Sequence, residues 1–241
     1  MSGLPRIIHF CWVGDSKLSD LNRECMATWS AVMPDYEIRR WDELNFPGEL
    51  TADQQEFYDR AMEHRCYSNV SNMVRLITLQ KYGGIYLDTD VEVLRPIHEA
   101  YDGEDLLCGW ESDVFVNNAV LAATGDNWVL QGCLDRYGKE IEFKRRLGSR
   151  NTRTVLKLDG SEPSNFSGPW LITDVLLHGG FSVLSECEQH KRGVTVVPRP
   201  VFYPLPWAQR KNQDAILEAR RNPHAFTLHR WEGTWQSEDW K

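Results

Sequence analysis

Nothing in the chain reads as a membrane-spanning helix, because no run of about 18 apolar residues occurs in it. Its first residues, MSGLPRIIHFCWVGDSK, lack the long apolar core behind a basic stretch that marks a secretory leader. The six cysteines, at positions 11, 25, 66, 108, 133 and 187, are widely spaced and form no CxxC pair, which reads as free thiols in a reducing cytoplasm. Positive charge is scarce. The formal net charge is −8 and the only basic string is the KRR at Lys144 to Arg146, so nucleic acid is not an expected partner. Internal repeats and low-complexity tracts are missing too. The expected location is the cytoplasm, at the inner face of a membrane if the chain attaches there peripherally.

What is present suits a soluble globular protein: 241 residues, 41% hydrophobic and 26% charged, enough to bury a core without disulfides and expected to form one domain over 1–241. The ten tryptophans serve either a large aromatic core or stacking on sugars or bases. A small anionic ligand is compatible with the acidic chain, because one bound metal ion reverses the local field.

The patterns alternate. Ile7 to Val13 reads as a strand, Leu18 to Val32 as a helix ended by Pro34, and 36–41 as a second strand. Helices are expected over 51–64 and from Ser68 to Tyr82, the latter stopped by Gly83 and Gly84, after which IYLDTDVEVL returns to strand. DLLCGW (105–110) and AVLAA (119–123) read as short strands flanking ESDVFVNN. Trp128 to Tyr137 reads as a helix, 139–168 as a polar, acceptor-facing excursion, Leu171 to His178 as a helix and 194–198 as a strand. The tail FTLHRWEGTWQSEDW is too aromatic for a disordered end. Strands alternating with helices imply an α/β fold with helices on both faces of a mainly parallel sheet, and ligands in such folds sit at the carboxyl ends of strands.

At one such end, GGIYLDTDVEV places Asp88 and Asp90 one residue apart. In an extended segment residues i and i+2 share a face, so the two carboxylates would repel and raise each other's pKa unless a cation compensates. A divalent metal is the natural compensation, with Mg²⁺ or Mn²⁺ preferred by hard oxygen ligands and by phosphate. A D-x-D string alone also describes a solvated acidic turn. A calcium loop would need a glycine after the second acid, where Val91 stands, and a haloacid-dehalogenase-type phosphatase would carry its pair near the first strand. Glu92 extends the alternation, as a third ligand or a supporting residue. In the preceding helix Val70, Met73, Val74 and Ile77 follow the core-facing i, i+3, i+4, i+7 rule, while Ser68, Asn72 and Arg75 form a polar stripe ending in an arginine among apolar neighbours. A carboxylate or anion is the expected partner of Arg75.

The string SNVSNMVRLITLQKYGGIYLDTDVEVL resembles the sugar-binding region of glycosyltransferases that carry a DXD motif, of the family 32 type: bacterial capsular-polysaccharide transferases, the yeast initiating mannosyltransferase of the outer chain and, more distantly, the clostridial glucosylating toxins. LPRIIHFCWVG, PDYEIRRWDELNF, GPWLITDVLL and FTLHRWEGTW resemble further segments, so the likeness covers most of the chain. It implies a GT-A fold, Rossmann-like, and transfer of a sugar from a nucleotide diphosphate donor, UDP-sugar favoured, to a hydroxyl acceptor such as a glycan with retention of configuration. By this resemblance Trp12 stacks on the donor base, and Arg75, Tyr86, Ser71 and Asn72 hold sugar and phosphate. Asp88 meets ribose and sugar and reaches the metal through water, while Asp90 ligates the metal directly. Asn118, with Asn117 as its close alternative, lines the sugar site. His229 completes the metal shell, and Thr234 and Trp235 close over the leaving diphosphate; an isolated histidine in an aromatic segment is otherwise more often a packed core residue. Catalytic weight falls on Asp88, Asp90 and Arg75. One departure stands out: the usual aspartate before the arginine is Asn72 here, an amide without charge. Two other functions therefore stay in view, a nucleotide-sugar or glycan-binding module of the same fold with weak catalysis, and a phosphohydrolase using the same metal pair.

Overall fold

The computed structural model describes residues 3–63, 65–146 and 168–233. Strand β1 (Ile7–Cys11) buries Ile8 and Phe10 on one side and His9 and Cys11 on the other, as the two-residue period of a strand requires. Helix α1 (Asp20–Val32) starts at Ser19. Its hydroxyl accepts from the Asn22 N–H at 3.0 Å while the Asn22 side chain accepts from the Ser19 N–H at 3.2 Å, so two orphan donors of the first turn are satisfied. Strand β2 (Glu37–Trp41) and helices α2 (Ala52–Glu63) and α3 (Tyr67–Tyr82) follow, and Val70, Met73, Val74 and Ile77 of α3 are buried as their spacing predicts. The double glycine then does two things. Gly83 closes α3 with its N–H on the Leu79 carbonyl at 2.9 Å. Gly84 (φ 97°) allows close contact, since a Cβ there would lie 2.6 Å from the Ile7 carbonyl oxygen, and β3 (Gly84–Leu87) can lie against β1.

The remaining elements are β4 (Val91–Val93), β5 (Leu106–Trp110), β6 (Val116–Ala123), α4 (Trp128–Arg146), α5 (Gly168–His178), β7 (Gln189–Lys191), β8 (Val194–Val197), α6 (Arg199–Phe202), α7 (Gln213–Arg221) and β9 (Thr227–His229). Among the described residues the main sheet has seven strands in the order β2-β1-β3-β6-β5-β8-β7. Only β6 and β7 run against the other five, so the sheet is mainly parallel. One face packs on α2 to α5 through Phe57, Val70, Met73, Cys133 and Val175, the other on α1, α6 and α7 through Trp29, Met33, Phe202 and Ile216. This is the expected Rossmann-like α/β layering.

Three local expectations are corrected. The strand does not continue through IYLDTDVEVL: the chain leaves the sheet after Leu87 and turns at Asp88–Asp90, with the Val91 N–H on the Asp88 carbonyl at 3.1 Å. It then enters β4 of a separate two-stranded sheet with β9. Aspartate favours turns over ladders, and here that preference overrides the apolar run around it. Strand β6 begins at Val116, so Asn117 and Asn118 are strand residues whose side-chain amides find partners, not loop residues. Helix α4 continues past Tyr137 to Arg146, into the stretch expected to be an excursion, while 147–167 lie outside the described residues. Short polar β7, amphipathic α7 and the three-residue β9 were not anticipated.

His9, fully buried, ties this framework together. Its Nδ1 accepts from Trp41 Nε1 at 3.0 Å and its Nε2 donates to the Gly83 carbonyl at 2.8 Å, which fixes the neutral tautomer because an indole only donates and a carbonyl only accepts. Burial lowers its pKa from 6.5 to about 4. The unfolded chain therefore binds a proton near pH 6.5 that the native state refuses until about 4. The resulting stability is complete above 6.5 and drains as pH falls toward 4, by about 3 kcal/mol in all. Urea unfolding at pH 7.5 and 4.5 should show this loss in the parent and a shallower one in His9→Gln; equal slopes would contradict it.

Candidate active site

The carboxyl end of β3 gathers groups from both layers. Asp88, whose N–H donates to the Ala119 carbonyl at 2.9 Å, faces Arg75 of α3, with Arg75 Nη2 2.5 Å from Asp88 Oδ1. The guanidinium is 2% exposed and lies over the Tyr86 ring at 4.5 Å, so cation and aromatic face share one desolvated space. Arg75 Nε and Nη1 are buried with no hydrogen-bond partner, two donors available to an anionic or hydroxylated ligand. One turn earlier on the helix, Ser71 Oγ and the Tyr86 hydroxyl are 2.9 Å apart. Asn72 Oδ1 accepts from Asn118 Nδ2 at 3.1 Å. Gly168 lets α5 begin against this amide pair, since a Cβ there would sit 1.8 Å from Asn118 Nδ2.

Asp90 is held from the other side. In the β4–β9 pair Val91 lies opposite His229, which brings the histidine to the turn. His229 Nε2 lies 3.2 Å from Asp90 Oδ1, the Glu232 N–H donates to Asp90 Oδ2 at 2.8 Å, and the Arg230 N–H donates to the Asp90 carbonyl at 2.9 Å. Trp231 between them has a φ of 54°, rare for a bulky residue, and its ring stacks on His229 at 3.8 Å while its Nε1 donates to the Leu205 carbonyl at 2.7 Å. Asn22 Nδ2 donates to Glu232 Oε2 at 2.7 Å, anchoring this segment to the start of α1.

Asp88, Asp90 and His229 each offer a ligand atom within 4.8 Å of the other two. Two carboxylates and an imidazole suit a hard or borderline divalent ion, and His229 Nδ1, buried without a partner, adds to the fit. Burial disfavours a charged His229, yet the charge and hydrogen bond of Asp90, with Asp88 and Glu111 behind it, raise its pKa. Burial likewise pushes Asp90 up, but His229 and the Glu232 N–H outweigh it and the carboxyl ends below its usual range. For Asp88 burial wins over the pull of Arg75 and the pKa rises.

Among the other expected residues, Trp12 lies just beyond β1 at the same edge of the sheet, its N–H on the Trp41 carbonyl at 2.9 Å and its Nε1 on the Ser16 carbonyl at 2.7 Å. Glu92 joins no ligand cluster: Arg220 grips it through two bonds, at 2.8 and 2.7 Å, and Arg230 through a third, which ties β4 to α7. Asn117 and Asn118 separate, Asn118 meeting Asn72 and Asn117 donating to Glu111. Thr234 and Trp235 lie outside the described residues. Glu111 was missed; its signal was the one used for Asp88, an acid directly after an apolar strand.

Residues 19–107 match the family described as a glycosyltransferase sugar-binding region containing a DXD motif. Lactosylceramide 4-alpha-galactosyltransferase of Gorilla gorilla gorilla is 27% identical over 171 residues, 67% of this chain and 44% of that protein. The Mus musculus enzyme of the same name is 31% identical over 139 residues, 57% of this chain and 32% of that protein. The chain thus spans less than half the length of either relative. Among solved structures, the PaToxG glycosyltransferase superposes with a TM-score of 0.53 at 17% identity, over 73% of this chain and 70% of that one. The fold is of the GT-A type, and the matched region, which carries the acidic turn, is similar to a glycosyltransferase sugar-binding region with a DXD motif. Among the described residues no helix is long and apolar enough to cross a membrane.

Proposed function

We propose that the chain transfers a hexose from a nucleotide diphosphate donor, UDP-sugar favoured, to a hydroxyl of a glycan with retention of configuration, as a family 32-type enzyme dependent on Mn²⁺ or Mg²⁺ that works in the cytoplasm or at a membrane surface. The observation that carries this reading is the convergence of Asp88, Asp90 and His229 within 4.8 Å, beside an arginine with two unpartnered buried N–H groups. The likeness to lactosylceramide 4-alpha-galactosyltransferase makes an α-galactosyl transfer one version of the same chemistry.

In this reading Asp88, Asp90 and His229 would hold the ion, and Asp88 would also contact ribose and sugar. When bound, the ion supplies positive charge to the departing diphosphate. Arg75 donates its free N–H groups to phosphate or sugar oxygens, Tyr86 and Ser71 keep its plane fixed, and the Asn72–Asn118 pair lines the sugar. Trp12 stacks on the base. The acceptor hydroxyl attacks the face the diphosphate leaves, and the leaving phosphate oxygen takes its proton. A binding module is the second reading, favoured by Asn72, an uncharged amide whose oxygen is engaged by Asn118, at the position where the resemblance implies an aspartate.

Product formation from a panel of UDP-hexoses with Mn²⁺ and oligosaccharide acceptors tests the first reading; tight donor binding without turnover would favour the second, and phosphomonoester hydrolysis the phosphohydrolase. Trp12→Ala should weaken UDP binding about 5- to 150-fold, as loss of a base–aromatic stack does, and leave the metal affinity alone. An unchanged UDP affinity would remove Trp12 from the donor site.

A further inference from the structure

The carboxylates around the turn differ in one respect. Asp88 has Arg75, Asp90 has His229, and Glu92 has Arg220 and Arg230. Glu111 has no cation within salt-bridge reach among the described residues; its side chain accepts a hydrogen bond from Asn117 Nδ2 only. It stands at the carboxyl end of β5, two strands from Asp88 across β6, with its own N–H on the Phe115 carbonyl at 2.9 Å. Asn117 stands on β6 two residues before Ala119, whose carbonyl holds the Asp88 N–H, so its bond keeps the Glu111 carboxylate at the same edge of the sheet as the turn. Tyr203, fully buried, accepts from the Val120 N–H at 3.0 Å on the same strand β6.

A carboxylate drawn from solvent without a counter-charge is costly, and the cost is tolerated where the missing positive charge arrives with the ligand. Burial pushes the Glu111 carboxyl up from its usual range, and Asn117 and His229 pull it partly back. Asn117 fixes the side chain, its own oxygen held by the Ala119 N–H at 2.6 Å, so the carboxylate is oriented before any substrate enters.

We propose that Glu111 is a catalytic carboxylate that faces the sugar ring and stabilises the positive charge growing on it. The inference rests on the donor-site reading above. As the bond between the anomeric carbon and the phosphate oxygen breaks, its electron pair leaves with the diphosphate and the ring becomes cationic. The acceptor oxygen then bonds to that carbon and its proton passes to the leaving phosphate, with Glu111 unchanged throughout. Among the described residues Glu111 and Glu232 are the acids around the turn without a cation partner; Asn22 of α1 holds Glu232, whereas Glu111 stands on the main sheet, bonded to the strand β6 that also holds Asp88.

The test compares the parent with Glu111→Gln and Glu111→Asp, using Mn²⁺, UDP, and UDP-galactose, UDP-glucose and UDP-N-acetylglucosamine as probes. Glu111→Gln, nearly isosteric but neutral, should slow both sugar transfer and slow hydrolysis of the donor by about 100-fold, because both pass through a cationic sugar. UDP and Mn²⁺ dissociation constants should stay within about 3-fold of the parent, since binding precedes the charge. Glu111→Asp, which keeps the charge at a greater distance, should fall between the two and serves if the glutamine variant does not fold. Hydrolysis within about 3-fold of the parent in Glu111→Gln, or a loss confined to transfer, would overturn the assignment; so would weakened Mn²⁺ binding, which would make Glu111 a support for the metal. A parent that binds UDP with Mn²⁺ while its hydrolysis ignores Glu111 refutes this inference alone. A parent with neither binding nor hydrolysis refutes the donor reading and this inference with it.

Discussion

Asp90→Asn reduces sugar transfer to below about 1% of the parent rate while the protein stays folded. The residue is engaged on every side: His229 on one oxygen, the Glu232 N–H on the other, the Arg230 N–H on its carbonyl. An amide of the same shape still accepts from Glu232, so the turn between β3 and β4 survives. What disappears is the negative charge that, with Asp88 and His229, suits the cluster to a cation. The loss should show in titration of Mn²⁺, where the variant binds far more weakly, and in an unchanged circular-dichroism spectrum. Full activity in Asp90→Asn would remove the metal from the account.

Arg75→Leu is the largest expected effect on the fold. It leaves Asp88 beside an apolar side chain with its counter-charge gone, and breaking a buried pair from one side costs roughly 3–5 kcal/mol, or about 6–20 °C in Tm for a chain of this size. The second half of the prediction separates charge from packing. Replacing both partners, Arg75→Leu with Asp88→Leu, removes the uncompensated carboxylate and should recover most of the lost Tm while transfer remains absent. Thermal unfolding of the three proteins reads both outcomes. A single variant as stable as the parent would mean that Arg75 and Asp88 do not depend on each other.

The local parts of the site were legible because local rules set them. Helix α3 declared its buried face through the spacing of Val70, Met73, Val74 and Ile77, and its end through Gly83. Arg75 among those apolar neighbours already required a partner, and the structure supplies Asp88 at 2.5 Å. The convergence of Asp88 and Asp90 was expected from the pleat of a strand but arises from a turn; the same carboxylates meet by a different geometry, because aspartate leaves a ladder more readily than it extends one. His229 was reached only through resemblance. Its placement depends on β9 pairing with β4 across more than half the chain, and a three-residue strand has no pattern of its own to announce such a partner. Glu111 stayed hidden for a related reason. Its meaning lies in the absence of a cation around it, which appears only when β5, β6 and β9 are seen side by side. Asn72 shows the reverse: the sequence marked it as a departure, and the structure gives it Asn118 as a partner, so the amide is built into the site.

The central claim is that Asp88, Asp90 and His229 hold a divalent ion to which a nucleoside diphosphate binds. Calorimetric titration of UDP into the parent protein, once with Mn²⁺ and once with a chelator, tests it most directly. Saturable UDP binding with Mn²⁺ that falls at least about 10-fold in affinity with the chelator, a difference of about 1.4 kcal/mol, is the predicted result. Equal affinity in the two titrations, or no binding in either, would contradict it.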